Sequence, residues 1–236
     1  MQPELLRARW QSVKAHIEKV ALTYQRNPED IQLVAVSKFH PSDAIACLAQ
    51  TGQFAFGENY VQEMLDKAST LKDSRIEWHF IGPLQSNKCK EVATTAYMMH
   101  SLDRIKLVEP LARYRPLNMA PLKVLLQVNI DDENNKSGVH GFDELLMLAK
   151  AVMAQERLEL CGLMTIPAPR CDFLTQSIPF RQLHRLREQL QDVLGSALPE
   201  LSMGMSADSE AAIAEGATIV RIGTDIFGSR SIKLND

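Results

Sequence analysis

The sequence has no apolar run near the ~20 residues needed to cross a bilayer. Its opening stretch, MQPELLRARWQSVKAHIEKV, carries charges throughout and lacks an apolar h-region, which argues against a secretory signal. Cysteine is scarce. Cys47, Cys89, Cys161 and Cys171 follow neither a CxxC nor a zinc spacing, and 236 residues need no disulfide staples. The expectation is reduced thiols in a cytoplasmic protein without a metal site. An excess of one charge is also missing: 26 basic against 29 acidic residues give a formal net charge of −3, with the basic residues spread along the chain. That pattern points away from a nucleic-acid surface. No linker-like or low-complexity stretch divides residues 1–236, which are expected to form a single domain. With 45% hydrophobic residues, the chain can bury a full core.

What is present is alternation. After an amphipathic helix over about residues 3–25 come eight short apolar runs: IQLVAVS, FAFGE, EWHFIG, MMHSLD, KVLLQVNI, LELCGLMTI, LSMGMS and TIVRIGTDIFG. Several are rich in β-branched or aromatic residues and apolar at most positions, as strands buried on both faces should be. Between them lie helical patterns such as PSDAIACLAQTG, FDELLMLAKAVMAQ and SADSEAAIAEGA, the last with Ser and Asp as cap candidates. Eight strands alternating with helices predict a single α/β (β/α)8 TIM barrel with an extra N-terminal helix. The short fourth run, MMHSLD, competes with a loop.

A barrel places its chemistry at the C-terminal ends of its strands, and phosphate groups often sit after strands seven and eight. By that rule the candidates are Lys38 after strand one, Glu58 and Asn59 after two and Gly82 after three. Asn129 with the loop DDENNKSG follows five, and Met164 with Thr165 follows six. Ser206 would end strand seven, and Arg221, Gly223 and Thr224 would lie on strand eight. Period-two alternation puts Val34, Val36 and Lys38 on one face. It likewise pairs Arg221 with Gly223, opposite Val220 and Ile222, and sets Ser202, Gly204 and Ser206 opposite Met203 and Met205. An inward arginine among apolar strands is costly without a partner. Ser206 ahead of a helix, with Gly223 and Thr224, makes a phosphate cup; equally, Ser206 is an N-cap and Gly223 a tight turn. Lys38 facing such a cup either pairs with an anion, as in a sugar-phosphate enzyme, or forms a Schiff base with an aldehyde. Burial near Arg221 would favour the neutral amine that a Schiff base needs.

AVSK, FGENYVQE, EWHFIGPLQSNK, GLMTIPAP, LSMGMSADSEAAI and VRIGTDIFG resemble, in order and over nearly the whole chain, the pyridoxal phosphate homeostasis proteins. The resemblance implies a barrel like the alanine racemase N-terminal domain, with pyridoxal 5′-phosphate (PLP) held covalently as a Schiff base on Lys38. It implies that Ser206, Gly223 and Thr224 bind the phosphate, that Arg221 faces the pyridine nitrogen and that Asn59 lines the ring edge. Met164, Ser202 and Met203 become pocket-wall positions. Two departures stand out: His40 where Lys or Arg is common, and Asp225 where Ala is common.

An arginine cannot accept a proton, so opposite a pyridine nitrogen it leaves the ring a weak electron sink. The chain also ends shortly after its last strand, without room for the second domain that supplies a base in racemases. The expectation is a PLP-binding protein of intracellular vitamin B6 and amino-acid homeostasis with no catalytic residue of its own. It would be a monomer whose recipients are PLP-dependent apoenzymes; the alternative is a weak amino-acid racemase or lyase. His79 reads first as a hydrogen-bonded core histidine, and Lys88, Lys90 and Lys136 as solvated lysines.

Overall fold

The structure, a computed structural model, describes residues 2–133 and 135–228. The chain opens with α1 (Pro3–Thr23), started by proline at its first position, where the missing N–H costs nothing. Its buried residues Leu6, Val13, Ile17 and Val20 recur at helical spacing and form one apolar stripe. Eight parallel strands follow: β1 (Gln32–Val36), β2 (Ala55–Glu58), β3 (Glu77–Phe80), β4 (Met98–Leu102), β5 (Leu122–Gln127), β6 (Leu158–Met164), β7 (Glu200–Ser202) and β8 (Ile219–Ile222). They pair in sequential order, and β8 pairs with β1 to close the barrel. Each strand leads into a helix: α2 (Ser42–Ala49), α3 (Val61–Leu71), α4 (Cys89–Thr95), α5 (Val108–Tyr114), α6 (Gly141–Met153), α7 (Phe173–Leu194), α8 (Ser209–Ala214) and α9 (Thr224–Phe227). The architecture is the expected (β/α)8 barrel with an added N-terminal helix. MMHSLD is a strand, buried along its whole length.

Strand alternation sorts the core into two layers. Leu33, Ala35, Phe56, Phe80, Val220 and Ile222 belong to the cluster between barrel and helices. Val34, Ala55, Met98, Leu125, Cys161, Met164 and Ile219 fill the interior. Phe56 and Phe80 are fully buried, each contributing about 2–3 kcal/mol. The extra helix α1 packs on α2, α8 and α9. Its Trp10 Nε1–H donates 2.9 Å to Gln53 Oε1, while Gln53 Nε2 donates to the carbonyls of Leu33 and Ala55. One buried amide thus ties α1 to the first two strands.

Two strand ends differ from expectation. β7 stops at Ser202, not Ser206, because Gly204 adopts φ +92° and turns the chain out of the sheet. β8 stops at Ile222, so Gly223 caps α9 and Thr224 begins it. Among the described residues no helix is long and apolar enough to cross a membrane, and no cluster of ligating side chains could hold a metal ion. Their four cysteines are unpaired.

Candidate functional site

Lys38 lies two residues beyond β1, half-buried at the C-terminal mouth. The backbone on both sides of it is tied down. Ser37 N–H extends the ladder to Gly57 O at 3.0 Å, and Ser37 Oγ donates 2.6 Å to Glu58 Oε1. Lys67, reaching in from α3, donates to Ser37 O at 2.8 Å, Glu58 Oε1 at 2.6 Å and Glu63 Oε1 at 2.7 Å. Glu63 Oε1 also accepts the Phe39 N–H at 2.5 Å, which supports Phe39 in a left-handed conformation, φ +66°. Glu58 is fully buried; burial pushes its carboxyl up, against the pull of Lys67. A buried three-residue clamp therefore fixes the segment that presents the amine.

Around the mouth, neighbouring strand ends bring the other candidates close. Val34 pairs with Arg221, so β8 stands beside the lysine strand, and Arg221 N–H donates 3.0 Å to Gly204 O to fasten the loop after β7. Gly223 approaches β1 closely: a Cβ there would lie 3.1 Å from Val36 O. Asn59 packs its backbone against Gly82, and its side-chain Oδ1 is buried with no partner among the described residues. Ser206 is half-buried and Thr224 exposed on the loops after β7 and β8. Ser206 is not the N-cap of α8, which starts three residues later with Asp208 at the cap position. The Asp208 carboxylate instead accepts the Met205 N–H at 2.6 Å and shapes the loop.

Arg221 is buried inside the barrel. It donates 2.6 Å to Ser202 Oγ and 2.9 Å to Thr165 O, both neutral acceptors. Burial draws its pKa down to about 10, opposed by the charge of Asp208. Met164 sits in the interior cluster next to Ser202 in register. Met203 is different. Its side chain is fully buried in the outer cluster, so it does not wall a pocket at the mouth. His79 is a fully buried core histidine, 2.8 Å from His100. Lys136 pairs with Glu133 at 2.6 Å on its loop, and Lys88 lies 3.4 Å from Glu91.

Sequence reasoning passed over Lys67, Glu63 and His100. The i,i+4 spacing of Glu63 and Lys67 was a visible signal for a helical pair, but not for its burial against the β1 end. A cavity of about 910 Å³ opens at the opposite face, lined by strand-start residues such as Gln32, Glu77, Lys123 and Glu200. Barrels keep their chemistry at the other end, where Lys38 follows β1 and Asn59 follows β2.

That set suits an aldehyde-bearing, anionic ring compound. Lys38 offers the amine; among the described residues, Asn59 Oδ1 has no donor and Arg221 no charged partner within hydrogen-bond reach. The family model "Alanine racemase, N-terminal domain" matches residues 7–231. Proteins called pyridoxal phosphate homeostasis protein are 47% identical over 93% of this chain and 93% of their own in Haemophilus influenzae, and 47% over 92% and 94% in Escherichia coli K12. The structure of PipY of Synechococcus elongatus PCC7942 with PLP bound superimposes with a TM-score of 0.78 at 34% identity, covering 90% of this chain and 99% of PipY. Sequence, fold and mouth geometry agree that this chain belongs to the alanine racemase N-terminal domain family, among its pyridoxal phosphate homeostasis proteins.

Proposed function

We propose that this protein binds PLP covalently through Lys38 and acts in intracellular PLP and amino-acid homeostasis, without robust turnover. The observation that carries the reading is a backbone clamp on the segment bearing Lys38, just beyond β1, together with the buried guanidinium of Arg221 on the adjoining strand. Bound PLP supplies an aldehyde and an electron-withdrawing ring. Lys38 Nζ would hold the group through that aldehyde, with loss of water. Asn59 and Arg221 would hold the ring, and Ser206, Gly223 and Thr224 would hold the phosphate beyond β7 and β8, where barrels often bind one. Ser202 contributes by holding Arg221, and Met164 by filling the interior beneath.

Arg221 also supports a carrier over an enzyme. As a permanent donor it would hydrogen-bond to an unprotonated ring nitrogen and cannot accept a hydrogen bond from a protonated one. The relatives' name, homeostasis protein, fits the same reading. In it, residues 1–236 work as one cytoplasmic, monomeric unit that passes PLP to apoenzymes.

Reduction with borohydride converts the C=N bond to a stable secondary amine, and peptide mapping then locates the label. The expected result is one labelled peptide containing Lys38, and none in Lys38→Ala. Label on another lysine would overturn the site. Exchange of an amino acid's α-proton in deuterated water, well above that with free PLP, would overturn the carrier reading.

A further inference from the structure

A chain of buried polar groups threads the barrel interior below Arg221. Arg221 Nη1 lies 2.6 Å from Ser202 Oγ, and Ser202 Oγ lies 2.8 Å from His100 Nδ1. His100 Nε2 lies 2.8 Å from His79 Nδ1, and His79 Nε2 lies 3.8 Å from Glu77 Oε2, with no hydrogen-bond partner among the described residues. Ser202, His100 and His79 are fully buried. Glu77 begins β3 and lines the cavity at the N-terminal face. The hydrogen-bonded chain therefore runs from Arg221 to His79, whose Nε2 is turned toward Glu77 at the opposite end.

Its proton direction follows from its two ends. A guanidinium only donates, so Ser202 Oγ accepts from Arg221 and has its own proton left to give to His100 Nδ1. His100, neutral, then carries its proton on Nε2 and donates to His79 Nδ1. His79 in turn carries its proton on Nε2, on the side of the Glu77 carboxylate but 3.8 Å from it. The reverse direction would leave the Ser202 hydroxyl proton buried without an acceptor and turn a lone pair of His79 toward Glu77. Burial lowers the pKa of both rings and keeps them neutral.

We propose that His100 and His79 are positioning residues for Arg221, acting through a one-way hydrogen-bond chain that locks the Ser202 hydroxyl with its lone pair toward the guanidinium. The proposal rests on the reading that Arg221 faces the PLP ring. Without the His100 acceptor, the Ser202 hydroxyl is free to rotate its proton against Arg221, donor against donor.

His100→Leu and His100→Asn have the same number of side-chain heavy atoms, but only asparagine retains an acceptor near the Nδ1 position, along with an amide donor. With PLP-loaded protein, His100→Leu is expected to weaken PLP binding about tenfold and shift the absorbance maximum, while His100→Asn stays within about threefold of wild type. Asparagine no better than leucine, or leucine indistinguishable from wild type, would overturn the proposal. Nitrogen-15 NMR of the wild-type histidines, assigned with His79→Gln and His100→Asn, gives a test that needs no variant to bind. Both rings are expected neutral with the proton on Nε2; a proton on Nδ1 of either ring would sink the chain. If wild type takes up no PLP, the function proposed above fails, and the NMR result still decides the chain's direction.

Discussion

Replacing Lys67 by methionine is expected to destabilise the fold by about 3–5 kcal/mol, read as a lower urea midpoint at unchanged slope. Lys67 is 5% exposed and Glu58 fully buried, 2.6 Å apart, so the variant leaves a carboxylate in the interior without its counter-charge. Pairing it with Glu58→Gln removes that charge as well, and the double variant is expected to regain a large part of the loss. An additive double variant would show that the two residues do not act as a pair. The clamp also has a consequence for the site. Lys67 and Glu63 hold the carbonyl of Ser37 and the N–H of Phe39, the two peptide groups that flank Lys38. Loosening them should slow borohydride-trapped labelling of Lys38 by about tenfold under conditions where the protein is still folded, because the amine is no longer held in its approach geometry.

Gly82→Ala carries the second large effect. A Cβ at residue 82 would sit 2.0 Å from Asn59 O and 2.7 Å from its carbonyl carbon and Cα. All three are backbone atoms, so no rotamer change relieves the clash and one of the two loops must move. The expected cost is about 1–3 kcal/mol, checked by denaturant unfolding. Because the atom displaced belongs to Asn59, PLP affinity should fall beyond what the lost stability accounts for. Unchanged affinity in the folded variant would remove Asn59 from the ring edge.

Much of the fold was legible because it rests on local patterns. Eight apolar runs, separated by helices, map onto eight strands, and the alternation of Val220, Arg221 and Ile222 correctly assigned their faces. The errors fall where a turn interrupts that period. LSMGMS reads as one strand, yet Gly204 at φ +92° ends the sheet contact early, which frees Ser206 from any capping role. Met203, counted with the pocket from the resemblance, keeps the outward direction that alternation had already assigned to it.

By itself, the sequence determined the barrel, the position of Lys38 at the end of its first strand and the inward direction of Arg221. These depend on period-two and helical spacing within single segments, which a linear reading captures. The tertiary structure alone decided what holds those groups. Lys67 meets Ser37 from 30 residues away, and His100 meets Ser202 from 102. Such contacts come from the register between strands and the angle at which a helix crosses them. Closing the ring of eight strands brings distant polar groups within hydrogen-bond distance in a medium where none can remain unpaired without cost.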